Sequence, residues 1–313
     1  MFGRNLTILA GVLLATAILT VEMAAWPDRS RLVSHDKGTE PMAVDTHFWV
    51  GSGLFSTSGN WTPAGPPGAG DTAILDGRSQ NNMTGSDESA TALAAFIVRD
   101  GNRAQVGSDG TPLIIEADKF SIRGRGAAYL QPSGTTDPKI LVDTYIGGNK
   151  TSLKLTGRNP EILDVLGGLV VNSSTSGSMS QHVTVGASRR WGFRGGRLEW
   201  NALYSPYRIS LQEGELAIYS AISVGVAVVD GGELIMLDGN ATFVYVAGGV
   251  VNWQSDGTLT RLSGISGTFD SLQGGPDPKD ITIAYIMPGC EVLWSEATKA
   301  AITTLRDLRE EEP

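Results

Sequence analysis

Glycine recurs at an almost constant interval through the second half of the chain, and this period restricts the fold more than any other feature. Gly196 leads Arg-Leu-Glu-Trp, Gly214 leads Glu-Leu-Ala-Ile, Gly232 leads Glu-Leu-Ile-Met, Gly249 leads Val-Val-Asn-Trp and Gly267 leads Thr-Phe-Asp-Ser. The successive spacings are 18, 18, 17 and 18 residues, and Gly289 follows after 22. The longer interval contains Gly274-Gly275-Pro276-Asp277-Pro278, which reads as a surface loop. A period of this length calls for one supersecondary unit stacked on its neighbours.

Each unit has the form Gly-x-apolar-x-apolar, with Leu198 and Trp200, Leu216 and Ile218, Leu234 and Met236, and Val251 and Trp253 at the apolar positions. Alternation sends one set of side chains inward and the other outward. A second strand fits between glycines at Arg208–Leu211, Val226–Val229, Phe243–Val246, Leu259–Leu262 and Ile281–Tyr285. Four-residue strands cannot bury an apolar face alone, so equivalent strands must stack about 4.8 Å apart. Glycine at the corner tolerates positive φ. The expected fold is all-β: a parallel β-helix or β-solenoid, narrow and filled by side chains. Val, Ile, Thr and aromatic residues between glycines disfavour helical repeats. A β-sandwich is the rival, and the regular period argues against it.

The most regular part is 196–294, within a solenoid expected over 93–294. Leu93–Val98, Leu113–Ile115, Phe120–Ile122, Ile140–Val142, Ser152–Leu155, Leu169–Val171 and His182–Val185 are its earlier strands, with an exposed loop at Ser173–Ser180. After Trp294, Ser295 is placed to N-cap a helix from Glu296 to about Glu310. Residues 295–313 therefore read as a capping helix and tail, with Ile302–Leu305 as one further strand the alternative.

Residues 1–41 read in one of two ways. Arg4 and the apolar run Leu6–Val21 match a secretory signal, with Ala15-Thr16-Ala17 as a cleavage site or the run kept as an anchor. Alternatively Met42 is the true start. Residues 42–92 then form an N-terminal cap region rich in Trp, Gly, Pro and Asn.

That cap region contains Trp49-Val50-Gly51, Gly59-Asn60-Trp61 and Gly70-Asp71-Thr72-Ala73-Ile74-Leu75. Trp49, Phe55 and Trp61 suit the end of a stack, and Asp71 can accept bonds from loop amides. The segment resembles the opening of β-helical surface proteins, of autotransporter-passenger type, and of phage structural proteins. The resemblance implies a parallel β-helix exposed outside the cell or on a particle. By analogy it also implies a homo-oligomer, a trimer in particle-borne cases, and it implies no catalytic residue.

The net charge of −9 opposes a nucleic-acid partner, since phosphate binding rewards clustered cations. Arg189, Arg190, Arg194 and Arg197 are the one basic cluster and, with Trp49 and Trp61, the candidate contacts for a surface glycan. Structural proteins are the other expected partners, and a membrane is met only through residues 6–21. One cysteine, Cys290, and three scattered histidines predict no metal and no disulfide, and no cofactor motif is present. Parallel β-helices also host polysaccharide lyases and hydrolases, which need paired carboxylates or a base with nearby cations. Glu116 and Asp118, with Lys119 and Arg123, are the best local candidates for such a grouping. The expected function is a non-catalytic structural or adhesive solenoid; a polysaccharide-degrading enzyme on the same fold is the alternative.

Overall fold

An 18-residue repeat demands that equivalent side chains lie over one another from coil to coil. The computed structural model describes residues 45–144, 151–187, 195–275 and 277–310, all within the unit Met42–Pro313. Twenty strands form one continuous hydrogen-bonded surface that winds through about 11 turns of a parallel β-solenoid. On one face, Leu198, Leu216, Leu234, Val251, Phe269 and Val292 stack in a single column. Trp200, Ile218, Met236 and Trp253 form the next column of the same face. These columns continue through Val170 and Asn172 to Leu153 and Leu155, then to Ala128 and Leu130.

The opposite face repeats the arrangement with strands such as His182–Val185, Arg208–Leu211 and Phe243–Val246. Phe96, Phe120, Ile140, Leu163, Val183, Ile209, Ala227, Val244, Leu262 and Ala284 make one inward column there. A short third side carries Val224, Ala241, Leu259 and Ile281. The apolar inward residues of all three sides are fully or almost fully buried and belong to one cluster reaching from Trp49 to Ile302. Strands of four residues are viable because each borrows its hydrogen-bond partners and its apolar neighbours from the coils on either side.

The glycine column has two causes. Gly214, Gly232 and Gly267 have φ of 93°, 70° and 87°, where a side chain is strained. Each glycine also lies on the carbonyl of the glycine one coil below. A Cβ at Gly214 would meet Gly196 O at 2.1 Å, one at Gly232 would meet Gly214 O at 2.5 Å, and one at Gly249 would meet Gly232 O at 2.5 Å. Gly249 is held by this contact alone, since its φ is not positive. The column stops at Gly267: Gly289 pairs with Ser266 and Cys290 with Gly267, so the long loop shifts the sequence period by one residue.

Two expected strands of the middle region have companions that the glycine spacing did not mark. Ala128–Pro132 and Ile162–Gly167 are strands, each alternating buried and half-buried side chains. The Ser173–Ser180 loop is exposed only in its centre. Ser174 and Ser180 at its ends are buried with Asn159 and Asn172. Asn172 Nδ2 donates to Asn159 Oδ1 (3.2 Å), Asn159 Nδ2 to Ser180 Oγ (2.9 Å) and Ser174 Oγ to Asn172 Oδ1 (2.7 Å). Asn172 occupies the core column position that Trp200 holds in the next coil.

At the N-terminal end, Thr46–Trp49 pairs in parallel with Thr72–Leu75 and antiparallel with Trp61–Thr62. Coiling thus begins inside the stretch assigned from sequence to the cap. At the other end the helix is much shorter than expected, Glu296–Ala301, although Ser295 Oγ does accept from Thr298 N (3.0 Å) as its N-cap. The chain then returns to a strand, Thr304–Asp307, parallel to Ile283–Ile286. Burial explains the difference: Ala300 and Ala301 are exposed, so the alanine face meets no apolar surface to prolong the helix. Ile302 and Leu305 instead join the core of the last coil. Asp307 falls below Ile286 in an inward column, held by Arg309 Nη2 at 2.6 Å. No helix among the described residues is long and apolar enough to cross a membrane.

Candidate functional site

The four residues nominated for chemistry lie on or just after the strand Leu113–Ile122, which turns the corner between faces. Glu116 is half-buried, and its carboxyl group packs over Gly134, where a Cβ would lie 2.0 Å from it. Asp118 is exposed, and Lys119 stands beside Ala95 and Lys139 on the second face. Arg123 is attached through its backbone, with its N–H donating to Val98 O at 2.7 Å. Among the described residues no ion pair joins either carboxylate to Lys119 or Arg123.

The aromatic residues of the cap turn inward. Trp49 and Trp61 meet edge to face at 5.2 Å, and Phe55 meets Trp61 at 5.0 Å. Trp61 Nε1 donates to Phe55 O (2.6 Å) and Trp49 Nε1 to Asn81 O (3.3 Å), so both indoles are satisfied inside the fold. With 0% and 2% exposure these rings close the end of the core and have no free face for a pyranose ring. Of the basic cluster, Arg189, Arg190 and Arg194 lie outside the described residues. Arg197 is a strand residue whose guanidinium meets Glu215 at 3.1 Å and Glu199 at 3.4 Å.

The outward rows of the second face carry chemistry that the glycine period did not point to. Phe243 and Tyr245 have ring centroids 6.3 Å apart. Arg261, one coil on, lies 5.1 Å from the Phe243 ring and 5.3 Å from the Tyr285 ring. Val226 and Ile283 extend the same row. These half-buried side chains form a flat aromatic and cationic surface across several coils. Earlier on this face, burial and then the Arg208 charge hold the His182 imidazole below its ordinary pKa, with Asp164 opposing.

A second grouping was also missed. Asp45 and His47 stand at alternate positions at the start of the first strand, and pairing of Thr46 with Thr72 brings Asp71 beside them. Asp71 does accept loop amides, as expected: Oδ2 from Gly68 N (2.7 Å) and Oδ1 from Asp45 N (3.2 Å). His47 Nδ1 is 3.0 Å from Gly65 O, and its Nε2 is 3.3 Å from Asp71 Oδ2. The three residues are 26 positions apart at most, and only the strand register joins them.

The fold places this chain among the parallel β-solenoid proteins, with an aromatic cluster at one end and a short helix near the other. No family model matches the chain, and neither the curated proteins nor the solved structures contain a match to it.

Proposed function

We propose that this protein is a non-catalytic structural or adhesive β-solenoid, displayed on a bacterial surface or a phage-like particle. One observation carries the reading: a single apolar core fills the coils from Trp49 to Ile302, with Asn172 and Asp307 as polar members of its columns, so recognition is left to the outer faces. Flat faces repeated every coil suit extended partners such as a surface glycan or a neighbouring structural protein. The Phe243, Tyr245, Arg261 and Tyr285 surface has the stacking and cationic groups that such a partner would use. The resemblance of the Trp49–Leu75 segment to surface and phage β-helices supports the same assignment.

Incubation of the purified chain with bacterial polysaccharides tests the reading. The expected result is binding without new reducing ends or unsaturated uronates, unchanged in Glu116→Ala and Asp118→Ala. Turnover that disappears in Asp118→Ala would establish the polysaccharide-degrading alternative instead.

A further inference from the structure

The Asp45, His47 and Asp71 grouping contains a contact that the protein's own hydrogen bonds explain only if the imidazole carries both ring protons. Gly65 O can only accept, so the 3.0 Å contact with His47 Nδ1 places the ring proton on that nitrogen. In the neutral ring, Nε2 then presents a lone pair to Asp71 Oδ2, which is itself an acceptor. In that form two acceptors face each other at 3.3 Å, whereas a doubly protonated ring would donate across the same gap; both side chains are about nine-tenths buried.

A shared metal cation satisfies both groups without the second ring proton. Zinc bonds of about 2.0–2.1 Å in a tetrahedron separate neighbouring ligand atoms by roughly 3.3–3.4 Å. The observed 3.3 Å between Nε2 and Oδ2 fits that edge. It exceeds the roughly 2.7–2.9 Å of a charge-assisted hydrogen bond. One oxygen of Asp45 completes three ligand atoms that lie within 4.8 Å of one another. Donation of the second ring nitrogen to a backbone carbonyl is the usual support of a metal-bound histidine, and Gly65 O supplies it. Asp71 Oδ2 keeps a second lone pair after accepting from Gly68 N.

We propose that Asp45, His47 and Asp71 bind one zinc-type divalent cation, with a fourth position open to water on the exposed Asp45 side. One nitrogen and two carboxylates suit zinc and its first-row neighbours. Calcium takes six to eight oxygens and magnesium keeps a near-ideal octahedron, so neither matches a three-ligand set with an imidazole. Bound there, the ion ties the strand Thr46–Trp49, the start of Thr72–Leu75 and the Gly65–Gly68 loop together at the start of the solenoid.

The test uses the full chain without an affinity tag, dialysed against EDTA and titrated with Zn²⁺ by calorimetry. The expected result is one tight site per chain, a melting temperature that rises with Zn²⁺ concentration, and a tetrahedral visible spectrum on Co²⁺ substitution. Asp45→Asn lies on the exposed member and spares the Asp71 contacts; it is expected to weaken binding more than about tenfold. His47→Gln is expected to lower affinity further. Absence of tight uptake, uptake undiminished in Asp45→Asn, or displacement by equimolar Ca²⁺ or Mg²⁺ would overturn the proposal.

Discussion

Alanine substitutions along the glycine column separate backbone strain from coil-to-coil contact. Gly53 has φ of 92° and open space around its missing Cβ, so Gly53→Ala reports conformational strain alone. Left-handed backbone costs an alanine about 1–2 kcal/mol, offset by about 0.4–1 kcal/mol from a less flexible unfolded chain. Gly249 reverses the situation: its φ is ordinary, but a Cβ would stand 2.5 Å from Gly232 O. Ordinary contact begins near 3.4 Å, so two coils must separate locally, and such overpacking costs about 1–3 kcal/mol. Gly232 suffers both effects, with φ of 70° and a 2.5 Å approach to Gly214 O. Gly232→Ala should therefore lose about 2–5 kcal/mol before the unfolded-state offset. Gly110, with neither feature, is the control. Urea unfolding followed by tryptophan fluorescence is a suitable assay, because Trp200 and Trp253 sit in the coils concerned. The expected order of destabilisation is Gly232, then Gly249, then Gly53, with Gly110 neutral. A Gly249→Ala protein as stable as Gly110→Ala would refute the close-stacking argument.

Leu234→Ala removes a fully buried residue from the column between Leu216 and Val251, and should cost about 2–5 kcal/mol in the same unfolding assay. Asn159→Ala strips the partner from buried Asn172 Nδ2 and from Ser180; a loss of about 1–3 kcal/mol is expected, with faster amide exchange at Leu169–Asn172 by mass spectrometry. Cys290 is 1% exposed and burial pushes its thiol up to about 11, so a disulfide reagent at pH 8 should label it only after urea unfolding.

The period carried the architecture because it acts twice, through glycine at the corner and through alternation in the strand that follows. Leu198, Leu216 and Leu234 could be aligned from sequence for that reason, and their stacking is observed. Where the coil length varies the signal fades. Gly126 stands before Ala128 as Gly196 stands before Leu198, but the intervals from Gly126 to Gly168 and on to Gly196, 42 and 28 residues, show no 18-residue period. Gly289 misled in the opposite sense, since a loop insertion moved it one place out of the column. The C-terminal helix was overextended because an alanine-rich segment has helical propensity whether or not a surface receives it. Asp71 was legible as a loop ligand from its place before a strand. Its meeting with His47 was not, because parallel register over a whole coil decides it and neither residue marks that register. The outward Phe243, Tyr245, Arg261 and Tyr285 surface was hidden because its two rows, Phe243 with Arg261 and Tyr245 with Tyr285, repeat no residue type from coil to coil that would mark them.

Asp307 gives the rod a terminus. Any strand laid against Thr304–Asp307 in the parallel sense would seal a carboxylate, and the Arg309 that clasps it, into a column that runs back through Ile286, Gly264 and Val246. Arg309 already holds the Asp307 carboxyl below the usual range, so the charge is not readily surrendered. A charge buried at that edge opposes the addition of a further parallel strand there.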